Sequence, residues 1–270
     1  MNRKTTLAIA ALSACAMLAP VSAAAQTTDN WQFGVLLYGY FPDIGGKTTF
    51  PGNTAGGVTV DASDILSHLK GGFLGTFEAR KARWGAFTDV LYLDVGGSKS
   101  ETRSLTLGGV QLPVGANANL DFNMKGLVWT LAGEYRIVAD SDVTMDLLAG
   151  ARLLDIKQTL NYDITGNVGP IPIQGRTGNS EVDANLWDGI IGVKGRIALG
   201  AERKWFVPYY ADVGTGDSEV TWQIMGGLGY SFSWGDIVGG WRYLDYQMKS
   251  GSKIEDVSFN GPMIGVAFHW

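Results

Sequence analysis

The stretch that decides the fold is EVTWQIMGGLGYSF, residues 219–232. From Val220 to Phe232, every even-numbered residue except Gly226 is large and apolar or aromatic, whereas the odd-numbered residues are polar, small or Met. An alternation with a period of two indicates a β-strand with one apolar face. The stretch is also long enough to cross a bilayer at a tilt, which takes about 9–11 residues.

The same alternation recurs along the chain. We therefore predict an all-β fold, a closed antiparallel transmembrane β-barrel of about ten strands, with eight or twelve strands as alternatives. An even number of strands is typical of bacterial barrels with both termini in the periplasm. The ten predicted strands lie near residues 30–42, 70–81, 84–97, 118–138, 142–160, 183–199, 204–214, 219–232, 235–248 and 256–270.

The links between these strands alternate in length. Short links fall at residues 81–83, 139–142, 200–203 and 233–235, and we predict these as periplasmic turns. The links between them are predicted as external loops, and they include the longer Gly-rich or polar segments 43–69, 99–117 and 163–182.

Three local features are predicted within this scheme. The polar face switches from odd to even positions around Gly126, which predicts a β-bulge there. Residues 47–50 and 58–61 are predicted to form an extra external hairpin. Residues 61–69 form a short amphipathic pattern that predicts a helix capped by Ser63 or Asp64.

The composition is unusual for a water-soluble domain. Charged residues make up 17% of the chain, and there are 38 Gly, 9 Trp, 10 Tyr and 11 Phe; about 25% charge is ordinary in soluble domains. After residue 25 the sequence contains no stretch resembling a transmembrane helix, so a closed barrel is the spanning structure that the sequence predicts.

The first residues have the pattern of a secretory signal peptide. Arg3 and Lys4 precede an apolar run, and an Ala-x-Ala site at residues 23–25 predicts cleavage before Gln26. The expected organisation is a signal peptide at 1–25 and a single barrel domain at 26–270. Cleavage removes Cys15 and changes the net charge from −5 to −7, which disfavours nucleic acid as a partner. An alternative is a lipobox at residues 12–15, with Cys15 lipidated.

Alternation alone does not say which face is outside, because a soluble lipocalin-like barrel places apolar side chains in its interior. Aromatic residues such as Trp31, Trp84 and Trp205 cluster near strand ends, where the girdles of membrane barrels belong. The last strand places four residues on one apolar face and ends on an aromatic residue. It is similar to the C-terminal signature that the barrel assembly machinery recognises, and its residues here are Ile264, Val266, Phe268 and Trp270.

Five segments carry a resemblance to a largely uncharacterised group of small proteobacterial outer-membrane proteins. They are FEARKARWG at 77–85, LYLD at 91–94, SEVTWQ at 218–223 with GLGY at 227–230, WRYLDY at 241–246 and GPMIG at 261–265. The resemblance spans nearly the whole chain after the signal peptide. It implies a β-barrel in the Gram-negative outer membrane with outer-membrane lipid as a partner, and it implies no catalytic residues.

If the apolar face contacts lipid, the charged residues on the opposite face lie in the lumen. Six are basic and seven acidic, a balance that favours paired charges over selection for one ion sign. Two interpretations stay open, a structural lock of salt bridges or a constriction that admits small solutes. The residues are Glu78, Arg80, Asp89, Glu134, Arg136, Asp146, Arg152, Asp188, Lys194, Arg196, Asp212, Glu219 and Arg242.

Signals for enzyme chemistry are weak. His68 is adjacent to Ser67, with Asp64 four residues earlier, but adjacent residues on a helix do not face each other. His269 is predicted to be a lumen-facing residue. No metal, nucleotide or cofactor motif is present in the sequence. The resulting hypothesis is a non-enzymatic outer-membrane barrel, either sealed and structural or ligand-binding, or a narrow passive pore. The alternatives are an outer-membrane lipid- or peptide-hydrolysing enzyme and a soluble periplasmic binding barrel.

Overall fold

The structure is a computed structural model that describes residues 29–50, 54–60, 69–101, 106–107, 110–111, 116–168, 171–252 and 254–270. The regular elements within these ranges are all β-strands. They are β1 (Trp31–Tyr40), β2 (Asp43–Phe50), β3 (Thr54–Val60), β4 (Leu69–Lys81), β5 (Trp84–Glu101), β6 (Thr106–Leu107), β7 (Val110–Gln111), β8 (Ala116–Ala139), β9 (Val143–Val168), β10 (Ile171–Leu199), β11 (Trp205–Gly216), β12 (Ser218–Ser231), β13 (Asp236–Met248) and β14 (Ile254–His269).

Ten of these strands close into an antiparallel barrel in the order β1-β4-β5-β8-β9-β10-β11-β12-β13-β14. The first and last strands pair with each other, with Gly34 opposite His269 and Tyr40 opposite Met263. Closure leaves these ten strands without a free edge, so the backbone groups that cross the membrane are paired within the sheet. The predicted ten-stranded barrel is therefore confirmed.

The four short turns that the sequence predicted as periplasmic lie at one end of the barrel, which we call the turn end. They connect β4 to β5, β8 to β9, β10 to β11 and β12 to β13. The tightest, between Lys81 and Trp84, holds Ala82 at a positive φ of 54°. Strand β1 begins and β14 ends at the turn end as well. The opposite end is called the loop end.

The outer face carries an apolar band bordered by aromatic rings. Trp84 and Trp205 are exposed near the turn end, and Trp187 is exposed on the other border. Between the borders the outward side chains are mainly aliphatic, with Ile191 and Ile264 64% and 57% exposed, and they include the aromatic Phe77 and Trp241. Exposed aliphatic residues of this density are typical of a surface that contacts lipid. The predicted assignment of the apolar register to the outside therefore agrees with the structure.

Towards the loop end the strands are longer than the sequence predicted. Segments 99–117 and 163–182 were expected to be loops. Instead β5 runs to Glu101 and β8 begins at Ala116, while β9 runs to Val168 and β10 begins at Ile171. Strand pairing continues because backbone hydrogen bonds do not require an apolar outer face. Beyond the apolar band the sequence is polar and rich in glycine, so it lacks the apolar–polar alternation from which strands are predicted.

The extra hairpin is present and is formed by β2 and β3, which pair from Ile44–Val60 to Phe50–Thr54. It extends the barrel wall, because β2 also pairs with β14, with Ile44 opposite Phe259. The predicted helix falls on residues 61–68, which lie outside the described residues, and Leu69 is the first residue of β4.

The bulge predicted at Gly126 is wrong. The β5–β8 register is unbroken from Trp84–Tyr135 to Glu101–Ala118, and the irregularity in β8 lies between Arg136 and Val138. From Met124 to Glu134 the buried, inward positions are all even-numbered. The polar face switches because the environment changes: above the apolar band the outward Lys125 is 61% exposed and lies 3.4 Å from the carboxylate of Asp94. Water replaces lipid outside, and the outer face becomes polar without a change of register.

The lipid-facing band predicts a strong dependence on position along one strand. Ile191→Arg, at the outer face of β10 inside the band, should lower the free energy of unfolding by about 2–4 kcal/mol because it places a cation against acyl chains. Asn185→Arg is the matched control, on the same face but beyond Trp187, where Asn185 donates to Asp155 at 3.0 Å. It should change stability by less than about 0.5 kcal/mol. Urea unfolding in phosphatidylcholine vesicles measures both, and equal losses would contradict the position of the band.

Candidate functional site

The barrel interior consists of two zones. Near the turn end, the inward positions are occupied mainly by charged side chains, which we call the charged zone. Towards the loop end, the same inward register is occupied by apolar side chains, which we call the apolar core. On β5, Asp89 is followed by Leu91 and Leu93; on β9, Arg152 is followed by Leu154.

Arg80 is the centre of the charged zone closest to the turn end. Its guanidinium forms an ion pair with Asp146 at 2.7 Å and with Glu78 at 3.1 Å, and it also pairs with Glu134. The side chain of Arg80 is 4% exposed and those of Glu134 and Asp146 are 0% and 2% exposed. Strands β4, β8 and β9 supply these residues, so the pairs tie together strands that are not all neighbours.

Two further cations complete this group. Arg136 donates through Nε to Asp146 at 2.8 Å. Lys194 lies 2.6 Å from both Glu78 and Glu134, and its ammonium is 4.6 Å from the centre of the Phe87 ring. With Arg80, the group has three cations and three carboxylates, so it is neutral overall. We call it the six-charge cluster.

A second group lies deeper and is built around Arg242 on β13. Arg242 Nη2 donates to Asp89 at 3.0 Å and to Gln223 at 2.9 Å, while Nη1 donates to the Tyr38 hydroxyl at 2.8 Å. The Tyr38 and Thr76 hydroxyls each donate to Asp89 Oδ1 at 2.8 Å. The charges are thus fully surrounded by polar partners, as buried ion pairs require.

A third group is the ion pair of Arg152 and Asp212. Arg152 Nη1 donates to Asp212 Oδ1 at 2.9 Å and Nη2 contacts Oδ2, a two-pronged arrangement that fits the planar guanidinium. Both side chains are 0% exposed. Arg152 Nε also donates to the Thr130 hydroxyl at 3.2 Å.

The remaining predicted lumen residues are placed differently. Asp188 is buried and accepts a hydrogen bond from the Ser218 backbone amide at 2.9 Å. Arg196 lies at the turn end. Glu219 is exposed and lies away from the interior groups, because the register shift between Ser218 and Val220 moves it off the inward face.

Sequence reasoning did not include Asp236 in the lumen. Its carboxylate lies 3.0 Å from His269 Nε2 and 3.7 Å from Arg196 Nη1. The signal was available, because Asp236 shares the even register of Arg242 on β13. It was overlooked because it is the first residue after a turn, where strand assignment is least certain.

The apolar core was also missed, since the sequence argument treated the inward face as polar along its whole length. The signal in the sequence is that the alternate, inward-facing residues of a strand change from charged to apolar while the alternation itself continues. The buried members of the core are Tyr38, Tyr40, Ile44, Leu91, Leu93, Val95, Met124, Val128, Leu154, Ile156, Val182, Leu244, Tyr246, Met248, Ile254, Val257, Phe259 and Met263.

A cavity of about 690 Å³ occupies the turn-end half of the lumen. It extends from Trp270 and His269 at the mouth to Tyr38, Asp89 and Arg242 at its inner end. We call it the vestibule. Most of the apolar core lies beyond the inner end, towards the loop end, and its members Tyr38 and Met263 also line the vestibule.

The four residues of the predicted C-terminal signature lie on the outer face of β14. Ile264, Phe268 and Trp270 are 57%, 41% and 65% exposed, and Val266 is partly exposed. Trp270 also exchanges two backbone hydrogen bonds with Phe33, at 2.9 and 3.0 Å, which fastens the last residue to the first strand.

Chemistry outside the lumen is limited in the part of the chain that the structure describes. Among these residues no group of three or more His, Cys, Asp and Glu side chains is arranged to hold a metal ion. The described residues contain no helix that is long and apolar enough to cross a membrane. Asp64, Ser67 and His68 lie outside the described residues.

The sequence matches no protein-family model and no curated protein. Among solved structures, the barrel is similar to the outer-membrane protease OmpT from Escherichia coli, with a TM-score of 0.52 and 9% identity, covering 90% of this chain and 98% of that one. Other matches are the translocator domain of the autotransporter NalP from Neisseria meningitidis (TM-score 0.43, 14% identity, 90% and 89% covered) and Ail of Yersinia pestis (TM-score 0.34, 10% identity, 90% and 100% covered).

At 9% identity the likeness to OmpT shows the fold alone. The class that the fold defines is the closed antiparallel β-barrel of the kind found in outer-membrane proteins, and the resemblance seen in the sequence is confirmed at that level.

The buried Arg152–Asp212 pair yields a test of the charged zone. Arg152→Ala should lower the free energy of unfolding by about 3–5 kcal/mol, because it leaves the Asp212 carboxylate buried without its cation. The double variant Arg152→Leu, Asp212→Leu should lose much less, since both charges are removed. Lys157→Ala is the control: its pair with Glu181 is 53% and 48% exposed and should contribute at most about 1 kcal/mol. Urea titration of the vesicle-inserted protein measures all three, and equal losses for the single and double variants would contradict this account.

Proposed function

We propose that this chain is an integral, non-enzymatic protein of the Gram-negative outer membrane whose barrel is sealed along its axis and open to the periplasm only as the vestibule. The observation that carries the proposal is the apolar core, which occupies the inward register of the described residues on the loop-end side of Asp89, Arg152 and Arg242. The core separates the vestibule from the outside.

The location is supported by the outer surface and by the sequence. The apolar band with its aromatic borders suits a bilayer, and residues 1–25 have the pattern of an export signal. Short turns face the periplasm in barrels of this class, so the turn end and the vestibule are assigned to the periplasmic side.

Sealing is favoured by the barrel's size and by its filling. Eight-stranded barrels are filled by side chains, whereas wide water channels need roughly 16 strands. In this ten-stranded barrel, Leu91, Val128 and Leu154 are at most 1% exposed and are paired side by side on β5, β8 and β9. A hydrated ion passing this level would have to lose its water among aliphatic groups, which costs several kcal/mol.

The charges on the turn-end side of the apolar core favour a structural set of salt bridges over a constriction that selects solutes. The six-charge cluster is neutral, and its carboxylates Glu134 and Asp146 are nearly inaccessible. Pores that select by side-chain charge carry rings of one sign along their path, whereas this cluster alternates cations and carboxylates. The narrow-pore version of the hypothesis therefore has less support than the sealed version.

The hydrolase alternative rests on Ser67 and His68, and it stays a prediction of the sequence. His269 is paired with Asp236 at the turn end, but no hydrogen bond joins it to a hydroxyl or thiol nucleophile among the described residues, so it is a weak candidate for a catalytic base.

The location predicts a defined biochemical behaviour. Expressed in a Gram-negative host, the full chain should appear in the outer-membrane fraction and migrate faster on gels before boiling than after it, as folded barrels do. Deletion of residues 2–25 should abolish this localisation. A mature chain that stays monodisperse in detergent-free buffer would contradict the membrane assignment.

Sealing predicts silence in planar bilayers. The wild-type protein should give no conductance steps, whereas Leu154→Ala combined with Leu244→Ala should give them, because both fully buried side chains belong to the apolar core. These residues lie on β9 and β13, on well-separated parts of the barrel wall. Heat-modifiable migration verifies that each variant is folded.

The matched control removes two charged side chains instead of two side chains of the apolar core. Asp89→Ala combined with Arg242→Ala empties the inner end of the vestibule and leaves the apolar core intact, so this variant should stay silent. Reproducible conductance steps from the wild-type protein would refute the sealed barrel.

A further inference from the structure

Arg196 carries the most exposed permanent charge in the vestibule, although the charged zone is balanced overall, and His269 is charged only when it is protonated. The side chains of Arg196 and Arg136 are 39% and 22% exposed, and that of His269 is 58% exposed. Asp146 and Asp236, which pair with them, are only 2% and 9% exposed. Glu78, at 32%, is the more exposed carboxylate of the six-charge cluster, and Lys194 lies against it at 2.6 Å. A solute in the vestibule therefore meets guanidinium groups more often than free carboxylates.

The carboxylates also have more of their hydrogen-bonding capacity satisfied within the protein than the cations do. Asp146 accepts hydrogen bonds from both Arg80 and Arg136. Arg196 Nη1, in contrast, is 3.7 Å from Asp236, which is beyond hydrogen-bond distance. A guanidinium has five N–H donors, so Arg196 keeps hydrogen-bonding capacity towards the vestibule.

The other half of the vestibule wall, on β11 to β14, carries most of the apolar lining, beside the polar side chains of Gln223, Asp236 and Arg242. Strands β11 to β14 contribute Phe206, Pro208, Met225, Val238 and Met263 to the cavity lining. The charged clusters nearest the turn end come mainly from β4, β8, β9 and β10.

Arg196 lies on the border between the two halves. Its guanidinium carbon is 4.0 Å from the centre of the Phe206 ring. A cation stacked on an aromatic ring at the edge of an apolar wall is suited to a ligand that combines a charge with an apolar part.

We propose that the vestibule binds a water-soluble organic anion with an apolar or aromatic body. Arg196 contacts the anionic group, Arg136 adds positive potential, and the apolar body packs on the wall formed by β11 to β14. A volume of about 690 Å³ falls within the range of roughly 300–1,000 Å³ that is usual for small-molecule sites. The inference deepens the proposed function, on which it rests, since a sealed barrel makes the vestibule a blind site reached from the periplasm.

The test compares ligands that share a naphthyl ring and carry an anionic, a neutral or a cationic group. The full mature barrel is inserted in phosphatidylcholine nanodiscs, and naphthoate, naphthylmethanol and naphthylmethylammonium are titrated by calorimetry, with empty nanodiscs as the background. Naphthoate should bind saturably and at least about tenfold more tightly than the ammonium, a difference that corresponds to about 1.4 kcal/mol. Equal affinities of the anion and the cation would overturn the proposal.

Variants of Arg196 identify the site. Arg196→Gln should weaken naphthoate binding by about tenfold, and Arg196→Lys should restore part of it, because a charge on a flexible stem replaces the planar guanidinium. Arg203→Gln is the matched control: Arg203 lies in the exposed turn after β10 and pairs with Asp142, and it does not line the vestibule. An Arg196→Gln variant that is folded by gel migration yet binds naphthoate like the wild type would refute the site.

The two proposals fail separately. A wild-type protein that conducts in planar bilayers and still binds naphthoate through Arg196 would refute the seal but leave the site. A silent protein that does not distinguish the anion from the cation would refute the site alone.

Discussion

The structure depends on the pairing of β1 with β14, which turns a sheet into a closed wall. Without that pairing, Gly34 to Tyr40 on one side and Met263 to His269 on the other would present backbone amides and carbonyls to lipid. A bilayer offers these groups no partner, and each would cost several kcal/mol. Closure also creates an inside and an outside, and every inward side chain must then be accommodated by other side chains or by trapped water.

The interior meets this demand in two different ways. In the turn-end half, cations and carboxylates from non-neighbouring strands neutralise each other, as in the contacts of Arg80 with Glu134 and Asp146. In the loop-end half, aliphatic and aromatic side chains pack together like the core of a soluble protein. The proposed seal and the proposed anion site both follow from the meeting of these zones at the level of Asp89 and Arg242.

Much of this was accessible from the sequence, and the errors are instructive. The ten strands and their turns followed from a period of two, and most inward charges followed from the same register. The switch of polarity around Gly126 was misinterpreted as a bulge, because a periodicity argument assumes that the surroundings of a strand are constant. The strand instead leaves lipid for water while its register is unbroken. Glu219 was misplaced for the opposite reason, since a real register shift beside it leaves no clear mark on the sequence.

By itself, the sequence determined which side chains share a face, because alternation along a strand is a local property fixed by backbone geometry. It thereby determined the fold class and the outward apolar surface. Only the tertiary structure decided which inward charges meet, since the partners of Arg80 and Arg242 lie on strands far away in the chain. It also decided that the lumen is packed with side chains towards the loop end and holds a cavity at the turn end. The volume left inside a barrel depends on how side chains from all ten strands occupy the same space.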